Sequence, residues 1–231
     1  MKLSTQNVAL MAVFAALQAS FSIFPFTITV GVSGEITLGV IGGSLIGILL
    51  GPIIGGLAVL IGSVVGVFVN PAGALFGILT VIPPFLGAFG AGCVKIKRGY
   101  VTGAIILVAL LIFYAHPFGR EAYIYPWLHI IAMIVAFSPI AHIASSTFSS
   151  SNTKKPIFGI SIAAFVGVLT DHISGSALAM WYFSPFLTPP IWYSIMPIYP
   201  IERMIALIII VVIATPVYYS LRMARLINVN K

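Results

Sequence analysis

Apolar runs of about twenty residues, separated by short connections, fill most of this 231-residue sequence. A run of this length matches one helical crossing of roughly 30 Å of hydrocarbon, whereas a barrel strand needs only about ten alternating residues. Hydrophobic residues make up 60% of the chain and charged residues 6%, far from the composition of soluble domains. Because backbone groups in lipid must bond within their own segment, the sequence predicts an all-α integral membrane protein, with one polytopic helical bundle over 1–231.

The apolar runs predict about eight transmembrane helices, at 5–24, 36–50, 52–69, 73–93, 100–115, 126–147, 157–183 and 201–222. The second and third are short, and about six crossings remain if neither spans the membrane fully. Four glycines of the second segment (Gly39, Gly43, Gly47 and Gly51) follow a four-residue spacing, which predicts close packing against neighbouring helices.

The 11 basic residues are distributed unevenly over the connections. All except Arg120 and Arg203 fall on the side that also holds both termini: Lys2, Lys95, Lys97, Arg98, Lys154, Lys155, Arg222, Arg225 and Lys231. The positive-inside rule makes this side cytoplasmic and predicts a multi-pass protein of the inner (cytoplasmic) cell membrane. Basic residues in short clusters between apolar runs report topology and do not indicate a nucleic-acid partner.

Signatures of enzymes and nucleotide-binding proteins are missing from the sequence. It contains no H-E-x-x-H zinc motif, no G-x-x-x-x-G-K-[ST] loop and no G-x-S-x-G elbow. The 4 histidines lie on different segments without metal-ligand spacing, and the single cysteine, Cys93, has no partner for a disulfide within the chain. We therefore predict no catalytic residue, no metal and no cofactor, so an ATP-driven step would need a separate ATPase.

The stretch LTDHISGS, at 169–176, places Asp171 and His172 inside an apolar segment. An unpaired carboxylate there costs on the order of 3 kcal/mol, so Asp171 should face the bundle interior or a wet cavity, or be protonated. Glu202 and Arg203 begin the last segment and lie at similar depth if the last two helices pack together. The predicted ligand-binding residues are Asp171, His172, Ser174, Glu202, Arg203, Trp127, His129 and Trp181.

Three interpretations of this polar group remain open. Arg203 could neutralise Asp171 or Glu202 in an internal ion-pair network that fixes helix orientation. The group could instead bind a small polar or zwitterionic molecule entering from outside, or serve as a proton relay or catalytic site. The connection SPFLTPPIWYSIMPIYP, at 184–200, is rich in proline and aromatic residues, which predicts either an interfacial anchor or a lid over an outward-facing pocket.

Small residues in the first segment, at Ala12/Ala16 and Ala15/Ala19, give it a flat surface. The stretch NVALMAVFAALQASFSIFP, followed by ITLGVIGGSLIGILLGPIIGGLAVLIGSVVG, PAGALFGILTVIPPFLGAFGAG and KIKRG, resembles the first four helices of substrate-specific S-components of energy-coupling factor (ECF) vitamin transporters. The resemblance covers about residues 8–98, and extra or divergent helices would occupy about 100–222, since such S-components typically have six helices. It implies that the AxxxA surface docks on a transmembrane coupling protein carrying ATP-binding cassette subunits.

Together these patterns predict a membrane substrate-binding subunit that captures a small, water-soluble, vitamin-like molecule at the outer surface. Its predicted partners are that molecule, membrane lipid and, through Ala12, Ala16, Ala15 and Ala19, the ATP-driven coupling module. Two alternatives remain: a proton-coupled secondary transporter using Asp171, and an integral membrane enzyme with Asp171 and His172 as an acid–base pair.

Overall fold

A computed structural model describes residues 4–23, 39–150, 152 and 154–227, and these residues form helices and no strand. The helices are α1 (Thr5–Ile23), α2 (Gly39–Leu50), α3 (Pro52–Val69), α4 (Ile82–Lys95), α5 (Gly99–Ala115), α6 (Pro117–Glu121), α7 (Trp127–Phe137), α8 (Pro139–Thr147), α9 (Lys155–Tyr182), α10 (Pro189–Ile195) and α11 (Tyr199–Met223). Two 3-10 turns, Pro71–Gly73 and Gly77–Val81, precede α4.

The described helices connect two ends of one bundle, and basic residues gather at one of them. The start of α1, the junction of α2 and α3, and the ends of α4, α8 and α11 line a common cavity of about 840 Å3. Gln6 Nε2 on α1 donates to Arg225 O just after α11, at 3.4 Å, and Lys95 Nζ on α4 donates to Leu49 O on α2, at 2.7 Å. We call this the basic end. The opposite end, at the connections 70–81, 116–126 and 183–198, is called the loop end.

Helices α2, α4 and α9 form the closely packed centre. A Cβ added at Gly43 of α2 would lie 3.0 Å from Pro84 O of α4, and one at Gly167 of α9 would lie 2.7 Å from Ala91 Cβ of α4. Glycine at these positions therefore lets the backbones approach closely. The 12 residues of α2 reach only about 18 Å, and nearly all are buried, so α2 is a core helix of the bundle.

A single glycine joins α2 to α3. Gly51 has φ 84° and ψ 178°, a conformation that is essentially restricted to glycine, and no atom lies within 4 Å of the position a Cβ would occupy. Its N–H donates to Gly47 O as the last bond of α2, at 2.8 Å, and its carbonyl accepts from Gly55 N as the first bond of α3, at 3.0 Å. Gly51 is therefore the whole connection between α2 and α3, and it belongs to the hydrogen bonding of both helices.

Several helices have the length and composition to cross a membrane. In the described ranges these are α3, the unit Gly77–Lys95, α9 and α11, with the bent pair α7 and α8 as a fifth if it forms one broken span. Large apolar side chains point outward around the bundle, including Val13 (65% exposed), Phe68 (74%), Leu111 (60%) and Val212 (66%). An apolar outer surface of this extent is typical of helices that face lipid.

The prediction of one continuous helix over 126–147 is wrong. The helix breaks after Phe137, and α8 departs from α7 at an angle of 67°. Pro139 has no N–H to continue the helical bonds, and the Ser138 side chain accepts from Ile140 N at 3.2 Å, which caps the start of α8.

Two other predicted segments differ from the structure in detail. The segment predicted as a helix over 73–93 begins with 3-10 turns, and its α-helix starts only at Ile82, because Pro83 and Pro84 suit a first helical turn and not a helix interior. The proline-rich connection 184–200 contains the short helix α10, whose Trp192 is buried.

Candidate functional site

A cavity of about 580 Å3 opens among the helices at the loop end, a volume typical of small-molecule sites. Residues from α1, α2, α3, α4, α9, α10, α11 and the connections of the loop end contribute to its wall. The polar members are Gln18, Ser22, Ser63, Asn70, Thr80, Tyr125, Asp171, His172, Ser176 and Arg203. The principal aromatic and apolar members are Phe76, Phe183, Phe186, Leu187, Trp192 and Ile195.

Two buried side chains of opposite charge share this wall. Asp171 of α9 is 5% exposed and Arg203 of α11 is 8% exposed. Asp171 Oδ2 and Arg203 Nε are fully buried without a hydrogen-bond partner. No carboxylate oxygen lies within 4.0 Å of a basic nitrogen in the described part of the chain, so Arg203 forms no direct ion pair with Asp171 or Glu202 there. Buried charges ordinarily have a partner, which makes this pair exceptional.

Close packing of α9 on α4 fixes the position of Asp171. A Cβ added at Gly87 of α4 would lie 2.8 Å from Asp171 Cβ and 3.0 Å from Gly167 O. Real Cβ contacts are longer, so only glycine at 87 permits this approach. The carboxylate is therefore placed by the backbone of two central helices and not by a flexible loop.

Aromatic rings surround His172 on the protein side of the cavity. His172 Nδ1 lies 2.9 Å from His129 Nε2, and the two rings stack at 5.0 Å. Tyr199 lies 4.9 Å from the His172 ring, and Tyr125 packs edge-on against Trp192 at 4.7 Å. His129 is fully buried behind His172 and does not line the cavity. The His172–His129 contact leaves His172 Nε2 as the imidazole nitrogen available to a ligand.

Tyr125 lies in the connection before α7, and its hydroxyl is bonded within the protein. Tyr125 Oη lies 2.9 Å from Ser176 Oγ, and Ser176 Oγ donates to His172 O at 2.9 Å. Burial raises the pKa of the Tyr125 phenol, so the hydroxyl keeps its proton. Tyr125 thus presents a neutral ring to the cavity.

The two tryptophans predicted as ligand contacts lie away from the cavity. Trp127 is 41% exposed and Trp181 is 53% exposed, and neither belongs to the wall. Trp181 Nε1 donates to Ile112 O of α5 at 3.0 Å, which is a contact on the outside of the bundle. Successive helical residues are rotated by about 100°, so the direction of these rings was not fixed by their position along the sequence.

Two further predicted ligand residues also point elsewhere. Ser174 is buried, and its hydroxyl donates to Thr170 O of the preceding turn of α9 at 2.7 Å. Glu202 adjoins Arg203 in α11 and is partly exposed, but it is not part of the cavity wall. Of the predicted residues, Asp171, His172 and Arg203 therefore meet at the cavity.

Gln18 of α1 is a cavity residue that the sequence reasoning missed. It is fully buried, and its Nε2 donates to Gly39 O of α2 and Ser63 Oγ of α3, both at 3.3 Å. Gly39 O only accepts hydrogen bonds, so the amide nitrogen must be the atom that faces it. The available signal was an amide side chain far from the polar start of an otherwise alanine-rich and apolar helix. Gln18 connects three helices beside the cavity.

The alanines of α1 divide into two groups. Ala15 and Ala19 are buried, since glycines at 62 and 66 of α3 leave room for the backbone of α1. Ala12 and Ala16 are exposed. The first pair packs inside the chain, and the second pair remains on the surface.

Comparison with known proteins identifies an archaeal relative. No protein-family model matches the sequence, and no solved structure matches it. An uncharacterised protein of Methanocaldococcus jannaschii is 34% identical over 155 residues, which are 67% of this chain and 51% of that protein. The chain thus spans about half the length of this curated relative, and the similarity brings no activity with it.

Proposed function

We propose that this protein is the substrate-binding subunit of a membrane uptake system and captures a small, water-soluble, vitamin-like molecule. The observation that carries the proposal is the buried pair Asp171 and Arg203, which shares the wall of one cavity without forming an ion pair. A purely structural pair would be expected to close on itself, because an unpartnered buried charge is destabilising. A ligand in the cavity would supply the missing partners.

The proposed orientation places the basic end in the cytoplasm and the cavity towards the outside. The positive-inside rule supports this, because basic residues follow α4, precede α9 and follow α11 at the same end. We propose an even number of crossings of the inner (cytoplasmic) cell membrane with cytoplasmic termini, about eight or, if the short segments 36–50 and 52–69 do not fully span, six. The contact between the start of α1 and the end of α11 supports the even number, because it brings both ends of the described bundle to one side. The ligand would then enter from the loop end.

The energy for uptake is proposed to come from another protein. The sequence has no nucleotide-binding motif, and its first part resembles ECF S-components, which work with a coupling protein and ATP-binding cassette subunits. The exposed surface at Ala12 and Ala16 is the part of α1 available for such a partner.

Mass spectrometry of molecules released on denaturation tests the capture step. Protein purified in mild detergent is expected to release one vitamin-like compound. The Asp171→Ala/Arg203→Ala variant, which removes both charges together and stays balanced, is expected to release none. A wild-type protein that releases no such compound, after purification from cells supplied with vitamins, would reject the proposal.

A pair of variants tests docking on α1. Ala12→Leu/Ala16→Leu alters exposed positions, so ligand retention and thermal stability should be unchanged while ATP-driven uptake in cells is lost. The matched variant Ala15→Leu/Ala19→Leu forces bulk into the packed contact with α3 and should lower stability by about 1–3 kcal/mol per site. Normal uptake by the Ala12→Leu/Ala16→Leu variant would remove this surface from the mechanism.

A proton-coupled secondary transporter is the second candidate function. The observation in its favour is that Asp171, within α9, has an oxygen without any partner, as a proton-carrying carboxylate would. Uptake by the isolated chain in liposomes under a proton gradient, abolished by Asp171→Asn, would support this candidate over the first. No uptake without a partner would count against it.

A further inference from the structure

Most polar groups around the cavity are already bonded within the protein. Tyr125 Oη and Ser176 Oγ bond to each other, Trp192 Nε1 donates to Leu187 O at 3.2 Å, and Gln18 Nε2 has two acceptors. Apart from Gln18 Oε1, a neutral acceptor that is buried without a partner, these side chains therefore offer a ligand mainly rings and carbon surface.

Asp171 and Arg203 are different, because Asp171 Oδ2 and Arg203 Nε are charged-group atoms that are buried without a hydrogen-bond partner. Each is more than nine-tenths buried, and with Asp171 ionised the two side chains carry one negative and one positive charge. The carboxylate only accepts hydrogen bonds, and the guanidinium only donates them. With Asp171 ionised, the cavity thus has one anionic acceptor, one cationic donor and no net charge, and His172 Nε2 is an additional neutral group.

A ligand with a net charge would leave one of these two groups uncompensated in a region of low dielectric. A ligand with no net charge can satisfy both, provided that it carries an acceptor and a donor. The aromatic part of the surrounding wall favours a ring compound, because Tyr125, Trp192, Phe183 and Phe186 all contribute to it.

We infer that the ligand is a net-neutral, amphoteric ring compound whose anionic or carbonyl oxygen binds Arg203 and whose ammonium or N–H group binds Asp171. This inference rests on the proposed function, since it names the class of molecule captured at the same site. Two kinds of molecule share this chemistry: a zwitterion with a carboxylate and an ammonium group, and an uncharged heterocycle with adjacent C=O and N–H groups.

The test identifies the compound that the wild-type protein releases and measures its electrophoretic mobility at pH 7. A ring compound with no net mobility, with an acceptor and a donor in its formula, is the expected result. A released compound that migrates as an anion or a cation, or that has no ring, would overturn the inference and leave the capture function standing. A protein that releases nothing would instead overturn the proposed function on which the inference depends.

Variants of the two charged residues link the compound to the site. Arg203→Gln and Asp171→Asn are each expected to lower its occupancy at least about tenfold, because each leaves the other charge buried without a partner. The exposed neighbours Arg120 and Glu121 provide matched controls at the same end of the bundle, and Arg120→Gln and Glu121→Gln should retain the compound. Unchanged occupancy in Arg203→Gln or Asp171→Asn would contradict the assignment.

The double variant Asp171→Asn/Arg203→Gln distinguishes the two kinds of ligand. It removes both charges together, so no unpaired charge is left buried to destabilise the fold. The amides can still donate and accept, so an uncharged heterocycle should be retained with reduced occupancy, whereas a zwitterion should be lost. Either result supports a net-neutral ligand. Full wild-type occupancy in this variant would show that the two residues do not contact the compound.

Discussion

Replacing Gly87 with alanine tests the helix contact that positions Asp171. The added Cβ would lie 2.8 Å from Asp171 Cβ and 3.0 Å from Gly167 O, whereas ordinary contacts begin at 3.4 Å. Helix α9 must therefore move away by roughly half an ångström or more, and overpacking of this kind costs about 1–3 kcal/mol. Alanine is more favourable than glycine within a helix by up to about 1 kcal/mol. The net loss of stability is therefore smaller than the cost of the clash alone.

Gly175→Ala is a matched control that removes the helix-preference term from the comparison. Gly175 also lies within a helix, but its added Cβ would meet only Pro83, at 3.7 Å, which is an ordinary contact. The difference in stability between the two variants should therefore equal the clash, about 1–3 kcal/mol.

Thermal unfolding in detergent, followed by tryptophan fluorescence, measures this difference. For a chain of this size 1 kcal/mol corresponds to about 2–4 °C, so Gly87→Ala should unfold at least about 2 °C below Gly175→Ala. The Gly87→Ala variant should also lose captured ligand, since Asp171 moves with α9. Equal unfolding temperatures would refute the close contact of α4 and α9 and with it the placement of the carboxylate.

Two further predictions concern residues at and outside the cavity. Gln18→Leu keeps the size of the side chain but removes its bonds to α2 and α3, so stability should fall by about 1–3 kcal/mol in the same unfolding assay, and an unchanged midpoint would contradict these bonds. Trp181→Phe changes an exposed ring outside the wall, so ligand retention measured by mass spectrometry should equal that of the wild type, whereas loss of the compound would place the cavity elsewhere.

Most helix positions could be predicted from the sequence, because a helix that crosses lipid needs a long run of apolar residues. The segment predicted over 52–69 coincides with α3, and the one over 100–115 differs from α5 by one residue. The break at Pro139 was missed because apolar residues continue on both sides of it. The hydropathy of a segment gives its apolar length but does not reveal a change in the direction of the helix axis. The Ser-Pro pair at 138–139 was the local signal, since serine caps the helix that proline begins.

The candidate site was only partly readable. Asp171 and Arg203 were predicted because ionisable residues are rare in apolar segments and face inward. Trp127 and Trp181 were included for their chemistry, but helix rotation and packing decide which way a ring points. Tyr125 was not predicted, because only the fold of the connection before α7 brings it to the cavity.

The one-residue junction at Gly51 has a mechanical consequence. Since Gly51 takes part in the hydrogen bonding of both helices, α2 and α3 have no slack between them, and a displacement of either is passed directly to the other. Both helices reach the cavity, α2 through Gly39 and Val40 and α3 through Ser63 and Gly66. The backbone conformation of Gly51 therefore sets the angle between two helices that both contribute to the cavity wall.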